Sequence, residues 1–238
     1  MHAAFEVNHL TVAYRNTIIL RNLCAQIPQG VIAALIGPNG AGKTTLLKSA
    51  LSIIPTMAGT IRFMGKPYAE IQHDIAYIPQ RSTVDWDFPA TARDVVIMGR
   101  YGHLGWFKRP SAQDWKHADQ ALELVGLSEY SNRSIKELSG GQQQRLFLAR
   151  ALAQQARIYM LDEPFAGIDA QSEKTIVDIL HTLRNQGNTI LMVHHDLRTL
   201  QNYFDWAWLI NRETIACGPV SQAITPCTLA QTYGVTTW

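Results

Sequence analysis

The six apolar residues at 31–36, VIAALI, stop abruptly at Gly37-Pro-Asn-Gly-Ala-Gly-Lys-Thr44, and a helical pattern then runs from near Gly40 to about Ser52. A short continuous apolar run bounded by glycines reads as a buried strand, so the segment is a strand, a glycine-rich loop and a helix in that order. In this context G-x-x-x-x-G-K-[ST] is the pattern of a phosphate loop. Glycines let successive backbone N–H groups turn inward around phosphates, and the helix N-terminus adds its positive end. Lys43 is placed to reach the β and γ oxygens, and Thr44 to offer a hydroxyl to Mg²⁺. The plain alternative is a glycine-rich turn. The motif arises by chance in on the order of one chain of this length in a hundred, and the strand-loop-helix setting lowers that further.

Composition narrows what such a chain does. With 21 Lys+Arg against 19 Asp+Glu, the net charge of +2 is too even for a protein that wraps nucleic acid or coats an acidic membrane surface. The 238 residues are 47% hydrophobic and 17% charged, which fits one globular chain and argues against disorder. The longest apolar stretches, such as 31–36 and 206–210, fall far short of the roughly 20 residues of a membrane-spanning helix. The first 14 residues carry Glu6 where a signal peptide needs an apolar core. Cys24, Cys217 and Cys227 are scattered without a CxxC pair, which suits a reducing cytoplasm and small core or surface residues rather than ligands.

Further strands are expected at 7–14, 59–64, 75–79, 158–161 and 189–193. Between 91 and 153 the texture is helical: Thr91 can cap a helix over 92–98, 113–125 has apolar residues at helical spacing before Gly126, and another helix follows Ser139-Gly-Gly141. A helix over 171–185 places Ile176, Ile179, Leu180 and Leu183 on one face. Buried strands alternating with helices imply a parallel sheet covered on both faces. The expected organisation is a single α/β cassette over 1–238, with core segments 1–90 and 154–218, a helical insertion at 91–153, and a short packed tail at 219–238 that leaves little room for a regulatory domain.

Two acids, Asp162 and Glu163, end the apolar strand 158–161, where a parallel sheet presents its ligands. Neighbouring residues on a strand point opposite ways, so one carboxylate can hold Mg²⁺ while the other orients a water for attack on the γ-phosphate. Asp162 is assigned to the metal and Glu163 to the water; alone, such a pair is more often a helix cap. Leu138-Ser-Gly-Gly-Gln142 precedes a helix and makes a second anion-binding N-terminus. Chance gives the full pentapeptide in roughly a few chains per ten thousand.

These three elements resemble the ATP-binding subunit of ABC transporters, and the similarity covers nearly the whole chain. The resemblance implies an α/β fold, a P-loop NTPase parallel-sheet core with an N-terminal antiparallel β region and an inserted helical signature subdomain. It also implies ATP and Mg²⁺ as ligands, hydrolysis of ATP, and head-to-tail packing of two copies. Gly37, Pro38, Asn39, Gly40, Ala41, Gly42, Lys43, Thr44 and Thr45 would then hold one ATP, while Ser139, Gly140, Gly141 and Gln142 close over the ATP of the second copy. Tyr14 resembles the aromatic residue that stacks on adenine, the alternative being a strand aromatic packed in a core. Gln80 resembles the Q-loop glutamine that senses Mg²⁺ and the attacking water. Gly167-Ile-Asp169 fits the D-loop, although Phe165-Ala166 replaces the usual Ser-Ala. His195 resembles the switch histidine at the γ-phosphate; the pair His194-His195 also invites a metal reading, but the register to Asp196 favours His195 at the site and His194 as structural.

Asp85-Trp-Asp-Phe-Pro89, together with Asp94-Val-Val-Ile-Met-Gly-Arg-Tyr-Gly-His103, resembles the ATPases of manganese, zinc and iron uptake transporters. That likeness implies import of a metal, manganese first and zinc or iron next, through a separate integral membrane permease fed by an extracytoplasmic metal-binding protein. It places the chain at the cytoplasmic face of the cell membrane, with no nucleic-acid partner. Trp86, Phe88, Tyr101, Trp106 and Phe107 are candidate permease contacts, or else they pack the insertion. The rival from another class is an ABC ATPase of DNA repair or chromosome organisation. Such proteins place long coiled coils between the phosphate loop and the signature, and no sustained heptad pattern fills that interval here. A phosphoryl-transfer kinase using the same loop would have no use for Leu138-Ser-Gly-Gly-Gln142.

Overall fold

A computed structural model describes residues 3–15, 17–104 and 108–234. Trp106 and Phe107, and the last four residues of the expected tail, lie outside the described residues. The strands among the described residues are β1 (Ala3–Tyr14), β2 (Thr17–Pro28), β3 (Ile32–Ile36), β4 (Ala58–Phe63), β5 (Ile75–Ile78), β6 (Ile158–Leu161), β7 (Thr189–Val193), β8 (Trp206–Asn211) and β9 (Glu213–Pro219). The chain divides into two compact units, Met1–Gln72 with Arg184–Trp238, and His73–Leu183.

In the first unit, β3 lies between β7 and β8 and is parallel to both, with β9 antiparallel at the far side of β8. Every residue of β3 and β7 is buried, which is why both read in sequence as unbroken apolar runs. A separate antiparallel sheet has the order β2-β1-β4. Strand β2 escapes a period-of-two reading for a physical reason. Its buried residues are Leu20, Leu23 and Ile27, a helix-like spacing, because bulges repeatedly shift its register against β1. His9 and Asn22 carry positive φ angles of 50° and 48° within these irregular strands. Helix Lys43–Ala50 follows β3, and Pro226–Tyr233, capped by Thr225 and closed by Gly234, gives the C-terminal stretch a helix that the sequence pattern does not announce.

In the second unit, β5 and β6 pair in parallel. The other regular elements there are helical, chiefly Ala92–Ile97, Ala112–Leu124, Gly140–Ala153 and Ala170–Asn185, whose last two residues belong to the first unit. Two of their N-termini, at Thr91 and Ser139, were legible in the sequence; the third, at Ser111, lies just before the helix expected from 113. Thr91, Ser111 and Ser139 each accept from the backbone N–H three residues on, while Asp94, Asp114 and Gln142 reach back, completing capping boxes. Burial of Ile176, Leu180 and Leu183 gives the last helix its apolar face; Val177 joins them, and Ile179 is only half-buried. The Arg100–Asp114 pair, at 3.0 Å and with Asp114 buried, ties the turn after Ile97 to helix Ala112–Leu124. Hydrogen bonds from Ser111 and then Arg100 hold the Asp114 carboxyl down at about 2.

Candidate functional site

The phosphate loop belongs to the first unit. Gly42 stands at the N-cap of helix Lys43–Ala50 with φ 95°, a left-handed backbone, and no side chain caps that end. A β-carbon at Gly42 would stand 2.3 Å from the Leu20 side chain, so both backbone angle and space demand glycine. A helix N-terminus, with its inward-turned N–H groups and the positive end of the dipole, suits an anion. Lys43 is buried, and its Nζ donates to the carbonyls of Gly37 at 2.7 Å and Pro38 at 2.9 Å. The ammonium is thereby held over the loop whose amides would surround a phosphate.

The turn behind β7 sorts the two histidines by strand alternation. His194 is buried, hydrogen-bonded through Nε2 with Thr199 Oγ1 at 2.7 Å and the Asp196 carbonyl at 3.0 Å, and packed on the Phe204 ring at 4.9 Å. His195 faces outward and is exposed. Asp196 shapes the turn by accepting from the Arg198 backbone and guanidinium, which hold its carboxyl down at about 2. Burial pushes the His194 imidazole below its ordinary value of about 6.5. The unfolded chain therefore takes up this proton first. The His194 contribution to stability is complete above about pH 6.5 and is lost as pH falls through the lower folded value. Melting temperature should accordingly fall between pH 7.5 and 5 more steeply in the parent than in His194→Asn; equal slopes would exclude the buried imidazole as the cause. Tyr14, the candidate adenine-stacking residue, is 63% exposed and so is not a core aromatic.

In the second unit the two acids part as expected. Asp162 is 1% exposed and takes a hydrogen bond from the Tyr77 hydroxyl. Burial, and then the Asp162 charge, raise the Tyr77 phenol above its ordinary value, so it stays a donor. Glu163 is half-buried, has φ 52°, and accepts from Gln80 Nε2 at 2.8 Å. A left-handed backbone is costly for a residue with a β-carbon. Here it turns the chain sharply after β6 and brings the carboxylate to Gln80.

The signature and D-loop residues meet in this same unit. Ser139 caps helix Gly140–Ala153, and a β-carbon on Gly141 would lie 2.3 Å from Ser172 Oγ and 2.9 Å from Asp169 Oδ2. Asp169 accepts from the Ser172 backbone at 2.9 Å and its hydroxyl at 2.8 Å; these bonds hold its carboxyl below the usual range. Among the described aromatics, Trp86 packs edge-on against Phe147 at 5.3 Å, whereas Phe88 and Tyr101 are each 52% exposed. Sequence reasoning passed over Tyr77, whose signal was a phenol in a short, mostly buried strand, and Arg81, which directly follows Gln80.

The model of the family described as ABC transporter matches residues 20–166. The chain belongs to the ABC transporter family. It is 50% identical over 97% of its length to the zinc transport system ATP-binding protein TroB of Treponema pallidum, covering 87% of that protein. To the manganese transport system ATP-binding protein MntB of Bacillus subtilis it is 49% identical, over 96% of this chain and 92% of that one. A chain from an inward-facing metal-chelate-type ABC transporter superposes with a TM-score of 0.85 at 27% identity, over 98% of this ABC ATPase and 89% of the other chain. No helix among the described residues is long and apolar enough to cross a membrane.

Proposed function

We propose that this chain binds and hydrolyses ATP to power import of a transition-metal ion, manganese first and zinc or iron next, through a separate membrane permease. The observation that carries the reading is the 2.8 Å pairing of Gln80 with Glu163 beside buried Asp162, in a chain similar over nearly its whole length to manganese and zinc transport ATP-binding proteins.

In this reading the loop 37–45 wraps the phosphates of ATP and Tyr14 offers its exposed ring to adenine. Magnesium suits the donors present. Thr44, Gln80 and Asp162 offer hydroxyl, amide and carboxylate oxygen, and a hard cation that keeps waters and substrate phosphates needs only one or two protein carboxylates. Those three residues would hold it, and when bound it would neutralise charge on the phosphate oxygens. Lys43 adds a positive charge at the β and γ oxygens. Glu163 accepts the proton of the attacking water, with Gln80 fixing the carboxylate, and exposed His195 holds the γ-phosphate. Ser139 to Gln142 of a second copy close over the same nucleotide and exclude bulk water, and Asp169 contacts that copy.

The helical segment 91–153 serves as the signature subdomain between core segments 1–90 and 154–218, and 219–238 is a packed tail. Exposed Phe88 and Tyr101 are suited to anchoring a permease at the cytoplasmic face of the membrane. An extracytoplasmic protein that captures the metal would act through that permease.

Two measurements test this. Cells lacking the chain should lose most uptake of manganese, or of zinc or iron, and recover it on re-expression. The chain should also co-purify from membranes with a polytopic permease. Intact uptake of all three metals, with ATP-dependent DNA association and no membrane partner, would favour the DNA-repair class instead.

A further inference from the structure

We propose that Arg81 is a positioning residue that locks the segment following Gln80 to the signature helix, so that the carboxylate which handles the water and the helix end which meets the second copy's ATP move together. The inference rests on the function proposed above and adds a residue to it.

Arg81 follows directly on Gln80, whose amide holds Glu163. Its own side chain turns to helix Gly140–Ala153: Nε donates to Gln143 Oε1 at 2.8 Å. Gln143 is 4% exposed and is fixed in turn by donating from Nε2 to the Ile135 carbonyl at 3.2 Å, so the acceptor cannot follow Arg81 freely. The guanidinium lies against Gly140, where a β-carbon would stand 2.9 Å from Nη1 and 3.1 Å from Cζ. The absence of a side chain at this signature glycine is therefore what admits the arginine.

A second fastening lies five residues on. Trp86 Nε1 donates to the Arg81 carbonyl at 3.1 Å, and the indole packs edge-on against Phe147, one helical turn beyond Gln143. Residues 81–86 thus grip one face of the signature helix at two points, while Gln80 grips Glu163. Helix stabilisation does not account for this arrangement, because a cation beside a helix N-terminus opposes the macrodipole. The planar fork supplies a directed Nε donor that a lysine ammonium lacks.

The test uses the full chain carrying Glu163→Gln, with ATP-dependent dimerisation read by sedimentation and nucleotide affinity read separately by calorimetry. Arg81→Ala should raise the ATP concentration for half-dimerisation about tenfold, as expected for losing a hydrogen bond to a charged group, and change nucleotide affinity by less than about twofold. Gln143→Ala should do the same, and the double variant should be no worse than either single one. Arg81→Lys, which keeps the charge, should behave as Arg81→Ala. An unshifted midpoint, additive effects in the double variant, or full rescue by Arg81→Lys would each overturn the tether. Failure of the Glu163→Gln parent itself to dimerise with ATP would defeat the proposed function, and this inference with it.

Discussion

Glu163→Gln should bind ATP as tightly as the parent, lose hydrolysis by roughly two to four orders of magnitude, and accumulate as an ATP-bound dimer. The loss is large because the substitution removes the proton acceptor and little else. The amide has nearly the shape of the carboxylate, and its oxygen can still accept from Gln80 Nε2, which now sits 2.8 Å from Glu163 Oε2. Buried Asp162 and its bond from Tyr77 are untouched. Binding and closure therefore survive while water attack fails. Single-turnover hydrolysis and nucleotide titration separate these effects; parent-like turnover would remove Glu163 from the mechanism.

Lys43→Ala is the second large effect, and it acts on binding as well as rate. The ammonium is buried and held by the Gly37 and Pro38 carbonyls, so it is already ordered where a phosphate would meet it. A charge-assisted hydrogen bond to phosphate contributes roughly 1.5–3 kcal/mol. ATP affinity should fall by about tenfold to a hundredfold, with hydrolysis falling further as charge develops on the γ-phosphate. Unchanged affinity together with unchanged activity would defeat the phosphate-loop assignment.

Much of the nucleotide machinery was legible in the sequence because it depends on short-range rules. The apolar runs at 31–36 and 189–193 announced strands β3 and β7, and the Thr91 and Ser139 capping patterns announced helix starts. What the pattern hid was hidden by irregularity or by distance along the chain. Bulges give β2 a helical spacing of buried residues, so a strand that pairs along β1 had no period-two signature. The Arg81–Gln143 bond joins residues 62 positions apart through a glycine whose significance is the room it leaves, and no local window contains that information. The histidine pair lies between these cases: strand alternation predicts that 194 and 195 face opposite ways, and burial identifies which one faces inward.

The left-handed backbone at Glu163 bears on how this chain tolerates mutation. Such a conformation costs a residue with a β-carbon on the order of 1–3 kcal/mol. A population drifting under selection for foldability alone would be drawn at this position toward glycine or asparagine, each of which relieves the backbone and removes the base. Position 163 is thus a point where a gain in thermal tolerance and a loss of work arrive in the same substitution, and only selection on transport could keep the acid there.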